Sequence, residues 1–300
     1  MTSPQESKIT IRQAISKLQK DCGKYIADGD RDIIHLMEHI AELNETGIYK
    51  YLDKELTKDQ TKRLNKAISR LKKDEPIEYV TGISHFYGNR FSVNKNTLIP
   101  RVETETLVDL ARSIISEKTY QPYSKAEKLN IVDVGTGTGC IIISLALATK
   151  EPANYYATDI SPEALKIARE NTETYKLKSK ITIKKGNLLN PISSRIKFDL
   201  VVANLPYIPE NDLPILAKSV EKYEPKIALD GGHNGASLIR ELLIQAQPRL
   251  RQNASLILEI QPKLVETVMD FAERFYPKSK RYIAKDTSEM DRFLVIQKLS

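Results

Sequence analysis

Ile131-Val132-Asp133-Val134-Gly135-Thr136-Gly137-Thr138-Gly139 is the stretch that decides the fold. Its first four residues have the β-branched, apolar character of a buried strand, and they run without a break into three glycines. The apolar segment Cys140–Ala148 follows at once and reads as a buried helix. Strand, glycine turn and helix in that order are the first half of a βαβ unit. Glycine permits positive φ and close backbone approach, while the first helical turn presents N–H groups that have no partner within the helix. The turn formed by Gly135, Thr136, Gly137, Thr138 and Gly139 therefore predicts a seat for a nucleotide-like ligand.

The next run, Tyr155-Tyr156-Ala157-Thr158, ends in Asp159, at the distance from the turn where an acid can accept hydrogen bonds from both hydroxyls of a ribose. Turn and acid together predict an adenosine-bearing cofactor. The glycine spacing lacks the longer step to the last glycine of a dinucleotide site. Asp133 would repel a pyrophosphate but could help hold the ammonium of a methionine moiety. S-adenosylmethionine is therefore expected ahead of NAD, and a glycine turn built for packing alone would leave Asp159 without a reason.

Working outward, candidate strands at 131–134, 154–158, 181–184, 199–203, 256–260, 282–284 and 293–297 alternate with helical segments. Such alternation predicts an α/β fold, a mostly parallel seven-stranded sheet with helices on both faces. Upstream the period changes. Ile11, Ile15 and Leu18, then Ile33, Leu36, Met37 and Ile40, then Leu64, Ile68 and Leu71 recur at helical spacing, which predicts a small all-α domain of four or five helices. Pro76 is expected to stop that pattern, and the Gly88-Asn89 pair, flanked by aromatic residues, predicts a β-hairpin turn. At 300 residues two domains are expected: a helical one over 1–75, a hairpin-bearing linker over 76–100, and the α/β domain over 101–300, opening with a helix from near Glu103 to about Ser116.

The net charge of +7 favours an acidic partner or a Lys-rich solvated surface, and decides nothing about chemistry. Cys22 and Cys140 stand far apart with no Cys or His at metal spacing, so neither a disulfide framework nor a zinc site is expected. His35-Leu36-Met37-Glu38-His39 matches a zinc-peptidase spacing, yet the same residues fit a plain amphipathic helix and no third ligand is evident. The first residues are polar and no apolar run is long enough to span a bilayer, which predicts a cytoplasmic protein without a membrane partner.

Asn204-Leu205-Pro206-Tyr207 closes the strand over 199–203. An Asn side-chain oxygen accepts one hydrogen bond, the next backbone carbonyl another, and an aromatic ring supplies a flat face. These residues suit a planar NH2 group, either an amide or an exocyclic amine, whose lone pair has to be directed at a partner.

Glycine turn, strand-end Asp and strand-end Asn-x-Pro-Tyr in this order resemble the class I methyltransferases that modify planar amino groups, rRNA and DNA adenine methyltransferases included. The flanking segments are narrower. Residues 76–82, Phe86-Tyr87-Gly88, Leu98-Ile99-Pro100-Arg101-Val102-Glu103-Thr104-Glu105 and Tyr223-Glu224-Pro225-Lys226-Ile227-Ala228-Leu229-Asp230-Gly231-Gly232-His233-Asn234-Gly235 are similar to the release-factor glutamine N5-methyltransferases, the HemK/PrmC family. That resemblance implies a Rossmann-like class I methyltransferase domain behind a helical substrate-recognition domain. It implies that residues 135–139 cradle S-adenosylmethionine, that Asp159 holds its ribose, and that Asn187 and Leu188 lie beside its adenine, where the family usually has an Asp.

By the same resemblance Asn204, Leu205, Pro206 and Tyr207 hold the glutamine of the Gly-Gly-Gln motif of class I peptide chain release factors, with Arg101 and Glu103 on the substrate side and no stable nucleic-acid partner required. Glu103 and Glu105 equally suit the first turn of a helix. Leu205 and Val102 stand where the family has Pro, and Gln261 where it has Gly. Leu205 is shared with the rRNA dimethyltransferases and keeps an adenine N6-methyltransferase acting on rRNA or DNA as the alternative.

Overall fold

The computed structural model describes residues 8–26, 29–120 and 128–299. The polar segment 1–7, on which the expectation about a leader rests, lies outside them. Two compact units are present: one holds the described residues up to Gly82 together with Lys218–Tyr223, and the other holds Ile83–Ala217 and Glu224 onward.

The first unit is helical: α1 (Ile11–Cys22), α2 (Gly29–Ala41), α3 (Glu45–Lys50), α4 (Lys58–Leu71) and α5 (Ile77–Thr81). Thr10 with Gln13, and Thr57 with Gln60, form reciprocal capping boxes that start α1 and α4. The helix-spaced residues Leu18, Leu36, Met37, Ile40, Leu64 and Leu71 are fully buried in one core. Pro76 does not stop the helical unit as expected but caps α5, and the unit runs on to Gly82. Arg70 explains this extension, since its guanidinium pairs with Glu75 at 2.6 Å and donates to the carbonyls of Tyr79 (2.9 Å) and Val80 (3.1 Å). The short helix Lys218–Tyr223 joins from far along the chain, with the Tyr223 hydroxyl donating to the Lys73 carbonyl at 2.8 Å. No helix among the described residues is long and apolar enough to cross a membrane.

The second unit opens with the hairpin β1 (Ile83–Phe86) and β2 (Asn89–Ser92). Its turn sits one residue earlier than expected. Tyr87 and Gly88 are the central residues, at φ 51° and 69°, and Asn89 already pairs with Phe86. A tyrosine tolerates this left-handed conformation because its neighbours hold it: Glu105 accepts its N–H at 2.7 Å, Asp109 accepts its hydroxyl proton at 2.7 Å, and Asn89 donates to its carbonyl at 2.8 Å. A 3-10 turn, Val102–Thr104, then leads into α6 (Glu105–Tyr120).

All seven expected strands form: β3 (Leu129–Val134), β4 (Ala153–Asp159), β5 (Ile181–Lys185), β6 (Phe198–Ala203), β7 (Leu250–Glu259), β8 (Ser279–Lys285) and β9 (Asp291–Lys298). Between them run α7 (Cys140–Ala148), α8 (Pro162–Thr174), α9 (the Lys218–Tyr223 helix already described), α10 (Ser237–Ala246) and α11 (Val265–Phe275). The sheet order is β5-β4-β3-β6-β7-β9-β8, parallel through β7, with β9 antiparallel to β7 and to β8. Residues of α6 and α7 pack in one core, and residues of α10 and α11 in the other.

Register positions the site. Val134 pairs with Thr158 on one side and with Ala203 on the other, so the residues that follow, Gly135, Asp159 and Asn204, emerge together at the carboxyl end of the sheet. This is also where the strand order reverses, with β4 and β6 on either side of β3, the place where open α/β sheets leave a crevice.

Candidate active site

A cavity of about 570 Å³ opens over those strand ends, within the size range of small-molecule sites. The glycine turn lines it, as do Asp159, Asn187, Leu188, Asn204, Leu205 and Pro206. Gly135, Gly137 and Gly139 have φ of 75°, 55° and 81°, values that a side chain would strain. A β-carbon on Gly135 would also stand 2.9 Å from Leu205 Cδ2, so the leucine side chain fills the space beneath the turn. Leu205 is 4% exposed, and its departure from the expected proline is thereby a packing choice.

Asp159 accepts the Gly137 N–H at 2.8 Å and the Ser161 N–H at 2.9 Å, and burial raises its pKa above the usual carboxylate value. A carboxylate has about four lone-pair directions, so acceptor capacity beyond these backbone contacts remains for a ribose hydroxyl. Asn187 Nδ2 donates to Glu241 Oε1 at 2.7 Å, which leaves Oδ1 to accept from a ligand amine. Leu188, beside it, holds a left-handed φ of 48°, an uncommon state for a branched side chain. The donor set therefore fits an adenosine-bearing group: a glycine floor, a carboxylate for hydroxyls and an amide oxygen for an exocyclic amine.

Asp133 departs from its expected place. It is fully buried and is not among the residues lining the cavity, and its Oδ2 accepts the Thr136 hydroxyl proton at 2.6 Å. Burial pushes its pKa up to about 7, with Thr136 pulling it down and Asp159 pushing it further up. Its visible contact is with the glycine turn rather than with ligand space.

The planar-amine side is a linked set of hydrogen bonds. Asn204 Nδ2 donates to Thr104 Oγ1 at 3.2 Å, Thr104 Oγ1 donates to Glu259 Oε2 at 2.7 Å, and the Tyr207 hydroxyl donates to Glu259 Oε1 at 3.3 Å. Glu259 ends β7 and Thr104 ends the turn before α6, and both are 2% exposed. Burial and the neighbouring Glu259 push the Tyr207 phenol up, which keeps it protonated as a donor. Tyr207 itself is not a lining residue of the cavity. The next residue, Ile208, is held on both sides: Gly231 N–H donates to the Ile208 carbonyl at 2.8 Å, and Ile208 N–H donates to the Leu229 carbonyl at 3.1 Å.

Comparison with known proteins identifies the family. A methyltransferase-domain family model matches residues 125–260, and a PrmC N-terminal domain model matches residues 10–82. A release factor glutamine methyltransferase of Bacillus cereus is 34% identical over 257 residues, which span 85% of this chain and 88% of that one. The chain belongs to the release factor glutamine methyltransferase family. The relative of the same name from Dictyoglomus turgidum is 36% identical over 78% of this chain and 79% of its own. Among solved structures, a human methyltransferase 10 domain containing protein shares the fold with a TM-score of 0.51 at 18% identity, over 71% of this chain and 90% of that chain.

Within this family member the arginine segment is tied to partners far along the chain. Arg101 lines the cavity, yet its guanidinium is paired with Glu224, whose side chain is 1% exposed and also accepts the Ile99 N–H at 3.3 Å. Glu103 is half-buried, is not a lining residue, and acts on Glu259 by like-charge repulsion. Glu105 is spent on the hairpin turn. Val102 is 67% exposed, so its exchange for proline disturbs no packing, and nothing in the structure explains Gln261. His35 and His39 lie on α2, where Leu36 and Met37 between them are buried in the helical core. No group of three or more metal-ligating side chains forms among the described residues.

Sequence reading missed Thr104, Glu259, Glu224 and Glu241. Thr104 and Glu259 are 155 residues apart, and Arg101 and Glu224 are 123 apart, so no local pattern joins them. Thr104 and Glu224 did sit inside the quoted upstream and downstream segments, but only as parts of a resemblance.

Proposed function

We propose that this chain transfers a methyl group from S-adenosylmethionine to the side-chain amide nitrogen of the glutamine in the Gly-Gly-Gln motif of class I peptide chain release factors, in the cytoplasm. The observation that carries the reading is the orientation of Asn204 at the strand end: its Nδ2 is committed to Thr104, so its Oδ1 is the atom offered to an incoming NH2 group.

The residues present suit the cofactor. Residues 135–139 would hold its polar chain, Asp159 its ribose hydroxyls and Asn187 Oδ1 its adenine amine. When bound, S-adenosylmethionine supplies a methyl group on a positively charged sulfur, open to attack by a nitrogen lone pair.

A glutamine amide nitrogen is a weak nucleophile because its lone pair is delocalised into the carbonyl. The chain's contribution is positional. Asn204 Oδ1 and the Leu205 carbonyl each accept one N–H, which fixes the plane of the amide and the direction from which its nitrogen lone pair attacks. Pro206 keeps Leu205 extended, so the carbonyl stays presented. Such positioning supplies up to about 7 to 11 kcal/mol in favourable intramolecular cases. As the nitrogen–methyl bond forms the methyl–sulfur bond would break, its electron pair leaving on a neutral thioether; the nitrogen then gives up one proton to water or along the accepting oxygens, and no strong base is needed beforehand.

The adenine alternative rested on the basic net charge and on Leu205. That side chain packs under Gly135 and is 4% exposed, so it does not by itself select a base over an amide. The deciding experiment incubates the protein and methyl-labelled cofactor with a release factor, with its Gly-Gly-Gln Gln→Ala variant, and separately with rRNA or DNA. Label is expected on the release factor alone, and label on nucleic acid with none on the release factor overturns the reading.

A further inference from the structure

A carboxamide is nearly symmetric in shape, so packing alone does not distinguish the two orientations of Asn204 that exchange Oδ1 and Nδ2. Hydrogen bonding has to make the choice, and the structure contains a chain of bonds able to make it. Thr104 Oγ1 carries one proton and stands 2.7 Å from Glu259 Oε2, in a buried setting. An ionised carboxylate only accepts, so that proton is directed at Glu259. Toward Asn204, 3.2 Å away, the threonine oxygen is then left with lone pairs alone. An Asn204 turned the other way would set its oxygen against another oxygen with no proton between them.

We propose that Thr104 and Glu259 are positioning residues for methyl transfer: by accepting the Thr104 hydroxyl proton, Glu259 makes that oxygen an obligate acceptor, which locks Asn204 with Nδ2 inward and Oδ1 free for the substrate amide. The inference rests on the function proposed above, in which Asn204 Oδ1 receives one substrate N–H. Tyr207 joins the same carboxylate through its other oxygen, so two members of the tetrapeptide are set by one buried acid.

The relay depends on Glu259 being ionised. Facing Glu259 are the Thr104 hydroxyl, the Tyr207 hydroxyl and the Arg292 guanidinium, all favouring the charged form, and Glu103, which opposes it. Arg292 is itself held by Asp286 at 2.9 Å, and Arg101 acts on Tyr207. Burial outweighs the favourable neighbours and lifts the carboxyl to about 7. Once protonated, Glu259 can donate to Thr104, whose proton is released to face Asn204, and the wrong amide orientation becomes allowed. The relay therefore works above about pH 7 and fails progressively below it.

The test uses the full chain and three variants. Thr104→Val keeps the shape and removes the hydroxyl, and is expected to lower kcat/KM toward the release factor about tenfold, the worth of one hydrogen bond, with cofactor affinity by calorimetry unchanged. Thr104→Ser restores the hydroxyl and is expected to recover most of the loss, which a purely packing role for the methyl group would not allow. Glu259→Gln offers Thr104 an acceptor oxygen at every pH, so the fall in kcat/KM on the acid side of about 7 is expected to disappear. Exchange of the Asn204 side-chain amide protons with solvent, read by NMR on the ligand-free protein, is expected to be faster in Thr104→Val than in wild type and slow again in Thr104→Ser. Undiminished turnover in folded Thr104→Val, no recovery in Thr104→Ser, an acid limb retained in Glu259→Gln, or unchanged amide exchange each overturns the relay. A wild-type protein inactive on every release factor instead defeats the functional reading, and the exchange measurement still judges the relay.

Discussion

Gly231 lies against Tyr207 so closely that a β-carbon on it would stand 2.8 Å from the Tyr207 Cα. The same carbon would meet the Pro206 carbonyl oxygen at 2.8 Å and the Gly235 carbonyl oxygen at 2.7 Å. All three are backbone atoms and cannot swing aside. A β-carbon on Gly235, at φ 76°, would collide with the Tyr207 carbonyl oxygen in the same way. The glycines of the 230–235 segment thus let one backbone lie directly behind another and hold the tetrapeptide at the strand end. Gly231→Ala is expected to lower turnover about a hundredfold, the scale associated with roughly 1 Å of misplacement, while cofactor affinity changes little. Steady-state kinetics beside cofactor titration check this, and an alanine variant with normal kcat would show that the clasp is not needed.

Asn204→Ala removes the acceptor that the mechanism relies on. Turnover is expected to drop by at least about a hundredfold, as when one preorganised hydrogen-bonding group is deleted from other active sites. Cofactor binding should survive nearly intact, because the glycine turn, Asp159 and Asn187 are untouched. Single-turnover assays with saturating cofactor separate the two effects, and turnover at the wild-type level in this variant would remove the mechanism.

These two segments also mark how far the sequence could be read. The seven strands were legible because each holds a short apolar, aromatic or β-branched run, and the shared carboxyl end of β3, β4 and β6 followed from the glycine turn, Asp159 and Asn204 each closing a strand. The start of β7 was not legible, since Leu250-Arg251-Gln252-Asn253 is mostly polar and Asn253 takes a φ of 58°. The hairpin turn was misplaced by one residue because tertiary partners, not local propensity, hold Tyr87 at positive φ. What the sequence could not supply were pairings of distant residues: Asn204 with Thr104, Thr104 with Glu259, and Arg101 with Glu224.

Asn187 gives a prediction that runs against its own family resemblance. An aspartate is usual at that position, but here Glu241 Oε1 stands 2.7 Å from Asn187 Nδ2 and also accepts from Gln245 Nε2 at 2.9 Å. Asn187→Asp would set two acceptor-only carboxylates against each other, and like charges disfavour ionisation of both. Cofactor affinity is therefore expected to weaken about tenfold in Asn187→Asp and to recover when Glu241→Gln is added, since the amide can again donate. Calorimetric titration of the single and double variants is the check, and a tighter-binding single variant would refute the pairing.

Asp133 links the site to stability. Its folded-state pKa is raised from 3.8 to about 7, chiefly by burial. Between those values the folded state binds more protons than the unfolded one, so this group favours folding below its unfolded pKa and that contribution is lost as pH rises through about 7. Asp133→Asn keeps an oxygen for the Thr136 hydroxyl and carries no charge. It is expected to be more stable than wild type at alkaline pH by about 1 to 3 kcal/mol and to show a shallower fall of stability with rising pH. Denaturant titrations across the range decide the matter, and parallel pH profiles for the two proteins would contradict a buried, proton-holding Asp133.

Arg101 has two candidate roles that one double variant can separate. Its partner Glu224 has a side chain only 1% exposed, so removing the arginine strands a buried carboxylate, a loss of about 3 to 5 kcal/mol in comparable pairs. Arg101→Ala alone is expected to be markedly destabilised. Adding Glu224→Gln keeps an oxygen for the Ile99 N–H while removing the stranded charge, and is expected to recover most of that stability. If Arg101 serves only to neutralise Glu224, activity returns with stability in the double variant. If its position on the cavity wall also contacts the release factor, the refolded double variant keeps a raised KM for that substrate with an unchanged affinity for cofactor. The contrast between KM and stability, rather than the loss of activity in Arg101→Ala, assigns the residue.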